Sequence, residues 1–121
     1  MKLLICGSRF MPDKSLVLMK EEIESFGQVD EIIQGGAKGA DALALRVASS
    51  LKIPCTTFKA DWATHGKGAG PIRNQQMIEE KPDYVLAFKP KSGITKGTQD
   101  MVDRAIKAGI PVALVEYGDL S

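Results

Sequence analysis

Net charge is almost absent from this 121-residue chain: 16 Lys+Arg stand against 15 Asp+Glu, a formal value of +1. No general field therefore exists to hold a polyanion such as duplex DNA, and any anion has to be bound by a local arrangement. Cysteine is scarce too, limited to Cys6 and Cys55. A disulfide framework needs more pairs, and neither residue has the Cys-x-x-Cys spacing of a metal or redox site. Both are expected to be buried free thiols of a reducing compartment, with no metal and no cofactor. Long apolar runs are also missing. The opening Met1-Lys2-Leu3-Leu4-Ile5-Cys6 is too short for a signal peptide or a membrane span, which predicts no membrane partner and a cytoplasmic location. No linker, disordered tail or internal repeat is visible, so residues 1–121 are expected to form one domain.

What is present is an ordinary globular composition, 44% hydrophobic and 26% charged, arranged as short apolar runs alternating with helical stretches. That alternation predicts a three-layer α/β domain with a five-stranded, mainly parallel sheet and helices on both faces. The expected strands are Lys2 to Cys6, Glu31 to Gln34, Cys55 to Phe58, Tyr84 to Phe88 and Val112 to Val115. Each is apolar without clean alternation, as strands buried on both faces are. Helices are expected over Leu16 to Phe26, Asp41 to Leu51 (stopped by Pro54), Arg73 to Glu80 and Gln99 to Ala108, the last with Gly109 at its C-cap. Right-handed crossovers bring the loops after the strands to one edge of such a sheet, which is where a ligand is expected.

Those loops hold the candidate residues. After the first strand, Gly7 lets backbone approach a ligand, while Ser8 and Arg9 offer a hydroxyl and a guanidinium fork; a tight turn with a solvated arginine is the plainer alternative. After the second, Gly35-Gly36-Ala37-Lys38-Gly39-Ala40-Asp41 presents amides at a helix N-terminus, where the dipole favours an anion. Its spacing is neither the dinucleotide Gly-x-Gly-x-x-Gly nor a P-loop, and no Ser or Thr follows the lysine to hold magnesium, which argues against ATP hydrolysis. Asp41 is either the helix cap or an acceptor for ligand hydroxyls.

Lys59 to Asn74 reads as one long loop running into a helix, with the single Trp and the single His of the chain. Loops of this length in a compact domain are usually functional. Trp62 is either a stacking surface for a base or a lid on its own loop, and His65 has no evident catalytic partner. Arg73 and Asn74 are expected in the first turn of the next helix, where a cation opposes the dipole unless a ligand phosphate resolves the conflict. Gly97 and Thr98 open the last helix with an amide and a hydroxyl suited to phosphate, and Lys89, Lys91 and Lys96 add charge or a solvated rim.

Taken together and in order, Gly7-Ser8-Arg9, Gly35 to Asp41, Asp61-Trp62, Ala69-Gly70-Pro71-Ile72-Arg73-Asn74 and Gly97-Thr98 resemble the YspA-like branch of the SLOG superfamily, along nearly the whole chain. The resemblance implies a Rossmann-like fold related to the DprA and LOG proteins, and a nucleotide or nucleotide-derived ligand at the Gly-rich loops. LOG enzymes cleave the N-glycosidic bond of nucleoside monophosphates with a Pro-Gly-Gly-x-Gly-Thr-x-x-Glu signature and an arginine. Here the glutamate position holds Met101, and Asp100 points about 100° away around a helix. A nucleic-acid partner of the DprA kind is not expected, because too few exposed aromatics are in sight for a stacking platform.

The favoured expectation is a binding or sensor module: Gly35 to Asp41 and Gly97-Thr98 hold phosphate, Arg9 and Arg73 neutralise it, and Trp62 or Asp41 meets base or sugar. The alternative is a nucleoside 5′-monophosphate N-glycosidase or related phosphoribosyl-transfer enzyme drawing its carboxylate from Asp41, Asp61 or Asp100. A third reading is an assembly protein whose glycines serve close packing only. A homo-oligomer is compatible with all three.

Overall fold

Five strands, β1 (Lys2–Gly7), β2 (Glu31–Gln34), β3 (Cys55–Thr57), β4 (Tyr84–Pro90) and β5 (Val112–Tyr117), form one sheet in a computed structural model that describes residues 1–118. Every neighbouring pair is parallel and the order is β3-β2-β1-β4-β5. The expected Rossmann-like α/β architecture is thus the observed one. Between the strands lie α1 (Leu16–Ser25), α2 (Ala40–Leu51), the single turn α3 (Trp62–His65), α4 (Ala69–Glu79) and α5 (Lys96–Lys107).

The period-2 alternation of the inner strands sorts the core into two layers. Leu3, Ile5, Ile32, Leu86 and Phe88 face Met19 and Ile23 of α1 and Leu43, Ala44 and Val47 of α2. Leu4, Cys6, Ile33, Val85 and Ala87 face Met77 and Ile78 of α4 and Met101, Val102 and Ala105 of α5. Burial on both faces holds for β1, β2 and β4. It fails for the edge strands: β3 has two exposed residues of three, and Leu114 of β5 is exposed. Edge strands have a neighbour on one side only, so their apolar runs do not guarantee full cover. Cys55, on edge strand β3, is accordingly half-buried, whereas Cys6 is buried.

Element boundaries differ from expectation at two informative places. The stretch expected as a long loop is mostly helical: α3, then a 3₁₀ turn (Gly66–Gly68), then α4 starting at Ala69. Pro71 is the third residue of α4, inside the first turn, where its missing N–H has no intrahelical acceptor to lose. Arg73 and Asn74 consequently stand in the second turn rather than the first. The other helix to start early is α5, at Lys96 rather than Gln99.

C-terminal ends follow backbone geometry more than prolines. Lys52, with φ 58°, closes α2 ahead of Pro54, the Ile53 amide donating to the Ala48 carbonyl at 2.9 Å. Gly109, with φ 75°, does the same for α5, as expected, with the Ile110 amide donating to the Ala105 carbonyl at 2.9 Å. Both are the paired closures that a left-handed residue permits.

The sheet order reverses direction between β1 and β4, so the loops leaving them diverge and open a crevice beyond the carboxyl ends. The β1–α1 loop closes one wall by lying on the start of α2. There the Ser8 carbonyl accepts the Ala40 amide at 3.1 Å, and the Ser8 amide donates to the Phe88 carbonyl at 3.1 Å. Gly39 has φ 74°, and a Cβ there would stand 2.5 Å from the Arg9 carbonyl carbon. Gly39→Ala is therefore expected to lower stability by about 2–4 kcal/mol through left-handed strain and overlap. Gly97→Ala, where a Cβ meets nothing within 4 Å, should stay within about 0.5 kcal/mol of the parent. Urea unfolding midpoints measure both, and equal stability of the two variants would contradict this packing.

Candidate functional site

The crevice at the switch point has a volume of about 490 Å³ and is lined by Cys6, Gly7, Arg9, Phe10, Gly36, Ala37, Lys38, Asp41, Trp62, Arg73, Asn74, Met77, Thr95, Gly97 and Thr98. Every residue expected at the site lies on this lining except Ser8, Gly35 and Gly39. Those three build the walls. Ser8 is buried and its Oγ accepts the Phe10 amide at 3.0 Å. Gly35 leaves room for a charged pair: a Cβ there would stand 2.7 Å from Arg73 Cζ and 3.0 Å from Asp41 Oδ2. Packing is thus the use of some glycines, while Gly97 faces open space.

Each loop is shaped by its own polar contacts. Gln34, buried at the end of β2, receives the Gly36 amide on Oε1 at 2.6 Å and donates from Nε2 to Thr57 Oγ1 at 2.6 Å. It fixes where the Gly-rich loop leaves the sheet. The N-cap of α2 is Gly39, so Asp41 is not the cap. Its Oδ2 instead accepts the Ala37 amide at 3.2 Å, pulling the loop back over the helix. In α5 the N-cap Thr95 turns its hydroxyl onto that of Thr98 at 2.8 Å, and no side chain caps the first turn. The first-turn amides of α5 therefore carry the positive end of the helix dipole toward the crevice.

Arg73 is not a cation stranded at a helix start. It donates from Nη1 to the Gly35 carbonyl at 2.6 Å and from Nε to Asn74 Oδ1 at 3.0 Å. Asn74 in turn donates to Asp100 Oδ2 at 2.9 Å, and Asp100 also accepts Arg104 Nε at 2.9 Å. This chain ties α4 to α5 and supports the guanidinium from behind. Burial alone would raise the Asp100 carboxyl, but the Arg104 and Asn74 hydrogen bonds and the Arg104 charge hold it below its ordinary value. Asp100 is thus committed to the helix interface, and Met101 beside it in sequence is buried in the core. Asp61 caps α3 through the Thr64 amide at 3.1 Å and lies off the crevice, as does His65. Lys89 pairs with Glu116 at 3.0 Å, and neither it nor Lys91 nor Lys96 lines the crevice.

Asp41 is the carboxylate that does line it, on a lining shared with Arg9, Lys38 and Arg73, of which Arg73 acts on its charge. Burial pushes its carboxyl up to about 6, and the Ala37 amide, the Arg73 charge and the Gly35 amide offset only part of that rise. Cys6 beside it is pushed well up, first by burial and then by the Asp41 charge, so it stays a neutral thiol and is no nucleophile.

Phe10, Thr95, Met77 and Gln34 were invisible as site residues in the sequence. Phe10 follows Gly-Ser-Arg directly, a position that hinted at the loop, but an isolated Phe reads equally well as core.

A parallel sheet of this order with a crevice over its switch point defines a Rossmann-like α/β protein. Residues 1–65 match the profile of the YAcAr family, described as the YspA, cpYpsA-related SLOG family. The Gene 61 protein of Mycobacterium phage D29 is 35% identical over 125 residues, covering 98% of this chain and 97% of that protein. The chain belongs to the YspA, cpYpsA-related SLOG family. The X-ray structure of DNA processing protein A (DprA) from Streptococcus pneumoniae superposes on 94% of the chain with a TM-score of 0.58 at 15% identity. At that identity the likeness is one of fold, and this chain spans 58% of the DprA chain. No helix among the described residues is long and apolar enough to cross a membrane.

Because Asp41 binds its proton more tightly folded than unfolded, its contribution to stability is full below the ordinary value of 3.8 and is lost as pH rises through about 6. The displacement corresponds to on the order of 3 kcal/mol. Subtracting the unfolding free energies of Asp41→Asn from those of the parent isolates it. The difference should turn against the parent between pH 4 and pH 7 by roughly that amount. A flat difference would show that Asp41 titrates normally.

Proposed function

We propose that this chain, residues 1–121, is a single binding or sensor domain for a nucleotide or nucleotide-derived phosphate ligand, seated in the crevice beyond β1 and β4. One observation carries the reading: Arg9, Lys38 and the uncapped first turn of α5 with Gly97 and Thr98 border one concave site. Charge there is biased toward an anion although the whole chain is nearly neutral. Gly36, Ala37 and Lys38 form the loop wall, with the Gly36 and Ala37 amides held by Gln34 and Asp41, Arg73 is held close by Gly35 and Asn74, and Gly7 lets β1 approach Phe88 and Ala40. The family relationship and the DprA-like fold support a nucleotide-related ligand.

The test is a melting-temperature screen with mononucleotides, cyclic nucleotides, ADP-ribose and NAD. A ligand at a hundredfold excess over its Kd adds about 2.7 kcal/mol and raises the midpoint by several degrees. Arg9 and Lys38 are exposed, so their joint replacement by Ala should leave the ligand-free midpoint in place and remove most of the shift. No shift with any ligand would refute the reading.

A second reading, N-glycosidic cleavage of a nucleoside 5′-monophosphate, is favoured by Asp41 alone. A buried carboxyl with its pKa raised to about 6, in a cleft whose lining also carries three cationic side chains, has the perturbed character of an acid–base group. It predicts base release from AMP, dAMP or CMP, seen by chromatography and abolished in Asp41→Asn. Absence of free base after long incubation at high protein concentration would dispose of it.

A further inference from the structure

We infer that the mouth of the crevice is a two-walled subsite for a planar nucleobase, with Phe10 under the Arg9 guanidinium as one wall and the Trp62 indole as the other. The inference deepens the nucleotide reading above and rests on it. Phe10 is 75% exposed and Trp62 60% exposed, although aromatic residues make up only 6% of the chain. The other large exposed apolar side chains, Val17, Leu45, Ile72, Ile106 and Leu114, are aliphatic and lie outside the crevice. The two most exposed rings thus both border this crevice, where a flat ligand can cover them.

The two rings come from different layers. Phe10 leaves β1 on the loop leading to α1. Trp62 opens α3 and leans on the start of α4, its Cη2 lying 3.5 Å from where a Cβ of Gly70 would stand. Helices α1 and α4 cover opposite faces of the sheet, so the rings border the opening from both. Arg9 Cζ sits 6.0 Å from the Phe10 ring centroid, which leaves a cation and a π-face available together. Base stacking on such surfaces tolerates any base, since each has a π-face. A base joined to phosphate therefore matches the crevice as a whole, whether it is carried by a free nucleotide or by an oligonucleotide end.

Trp62 is the single tryptophan, so intrinsic fluorescence reports on that wall directly. The probes are AMP, ribose 5-phosphate and a short oligothymidylate, each titrated by fluorescence and calorimetry. AMP, the oligothymidylate or both should quench Trp62, the quenching ligand naming the source. It should bind at least about tenfold more tightly than ribose 5-phosphate, and Phe10→Ala and Trp62→Ala should each remove most of that advantage. Both side chains are exposed, so the ligand-free melting temperatures of the variants should match the parent. Ribose 5-phosphate binding as well as AMP with no quenching would overturn the base subsite while leaving the phosphate reading intact. Full affinity in Phe10→Ala would overturn the two-walled arrangement. Failure of every probe to bind would overturn both.

Discussion

The docking of the β1–α1 loop on the start of α2 is the contact that the rest of the site depends on. The Ser8 carbonyl takes the first amide of α2, and Gly39 removes the side chain that would otherwise stand in the Arg9 backbone. Gly7 contributes in the same way, since a Cβ there would lie 2.7 Å from the Phe88 carbonyl oxygen and 2.8 Å from Ala40 Cβ. With these approaches made, Arg9 and Phe10 are delivered to the crevice rim and Lys38 to its wall. Lengthening any one of them would separate the two halves of the site.

Charge is arranged around that frame with little waste. Arg73 spends two of its nitrogens on Gly35 and Asn74, so its position is set by the protein before any ligand arrives. Asp41 is held nearby without a contact ion pair, which leaves its carboxyl raised rather than depressed. Asp100, which could have served chemistry, is consumed by Asn74 and Arg104 in joining α4 to α5. One carboxyl is thus left responsive in the crevice and the other is structural. Preorganised donors of this kind avoid the ordering cost that flexible side chains would impose on binding.

The inner sheet was legible because strands buried on both faces leave continuous apolar runs, and Leu3 to Cys6 and Val85 to Phe88 have no other sensible reading. The Gly-rich loop and the Gly97-Thr98 helix start were legible because glycine clusters after strands mark close backbone approach. What local sequence could not assign was the division of labour among glycines: Gly35 and Gly39 pack, Gly97 faces open space, and only tertiary neighbours distinguish them. Pro71 did not mark the start of α4, since a proline can stand either before a helix or within its first turn. Phe10 was hidden for a similar reason, as the exposure of an isolated ring is set by which loop it rides on, not by its neighbours in sequence.

At the centre of this reading, Lys38 of the Gly-rich loop and the uncapped first-turn amides of α5 meet one anionic guest in this crevice, and a ¹⁵N-resolved NMR titration with AMP tests it most directly. Shifts should concentrate at the amides of Lys38, Lys96, Gly97 and Thr98, with those at the helix C-terminal ends along the opposite edge of the sheet, such as Gly109 and Lys52, unmoved. Perturbations centred elsewhere, or none at saturating nucleotide, would contradict the account.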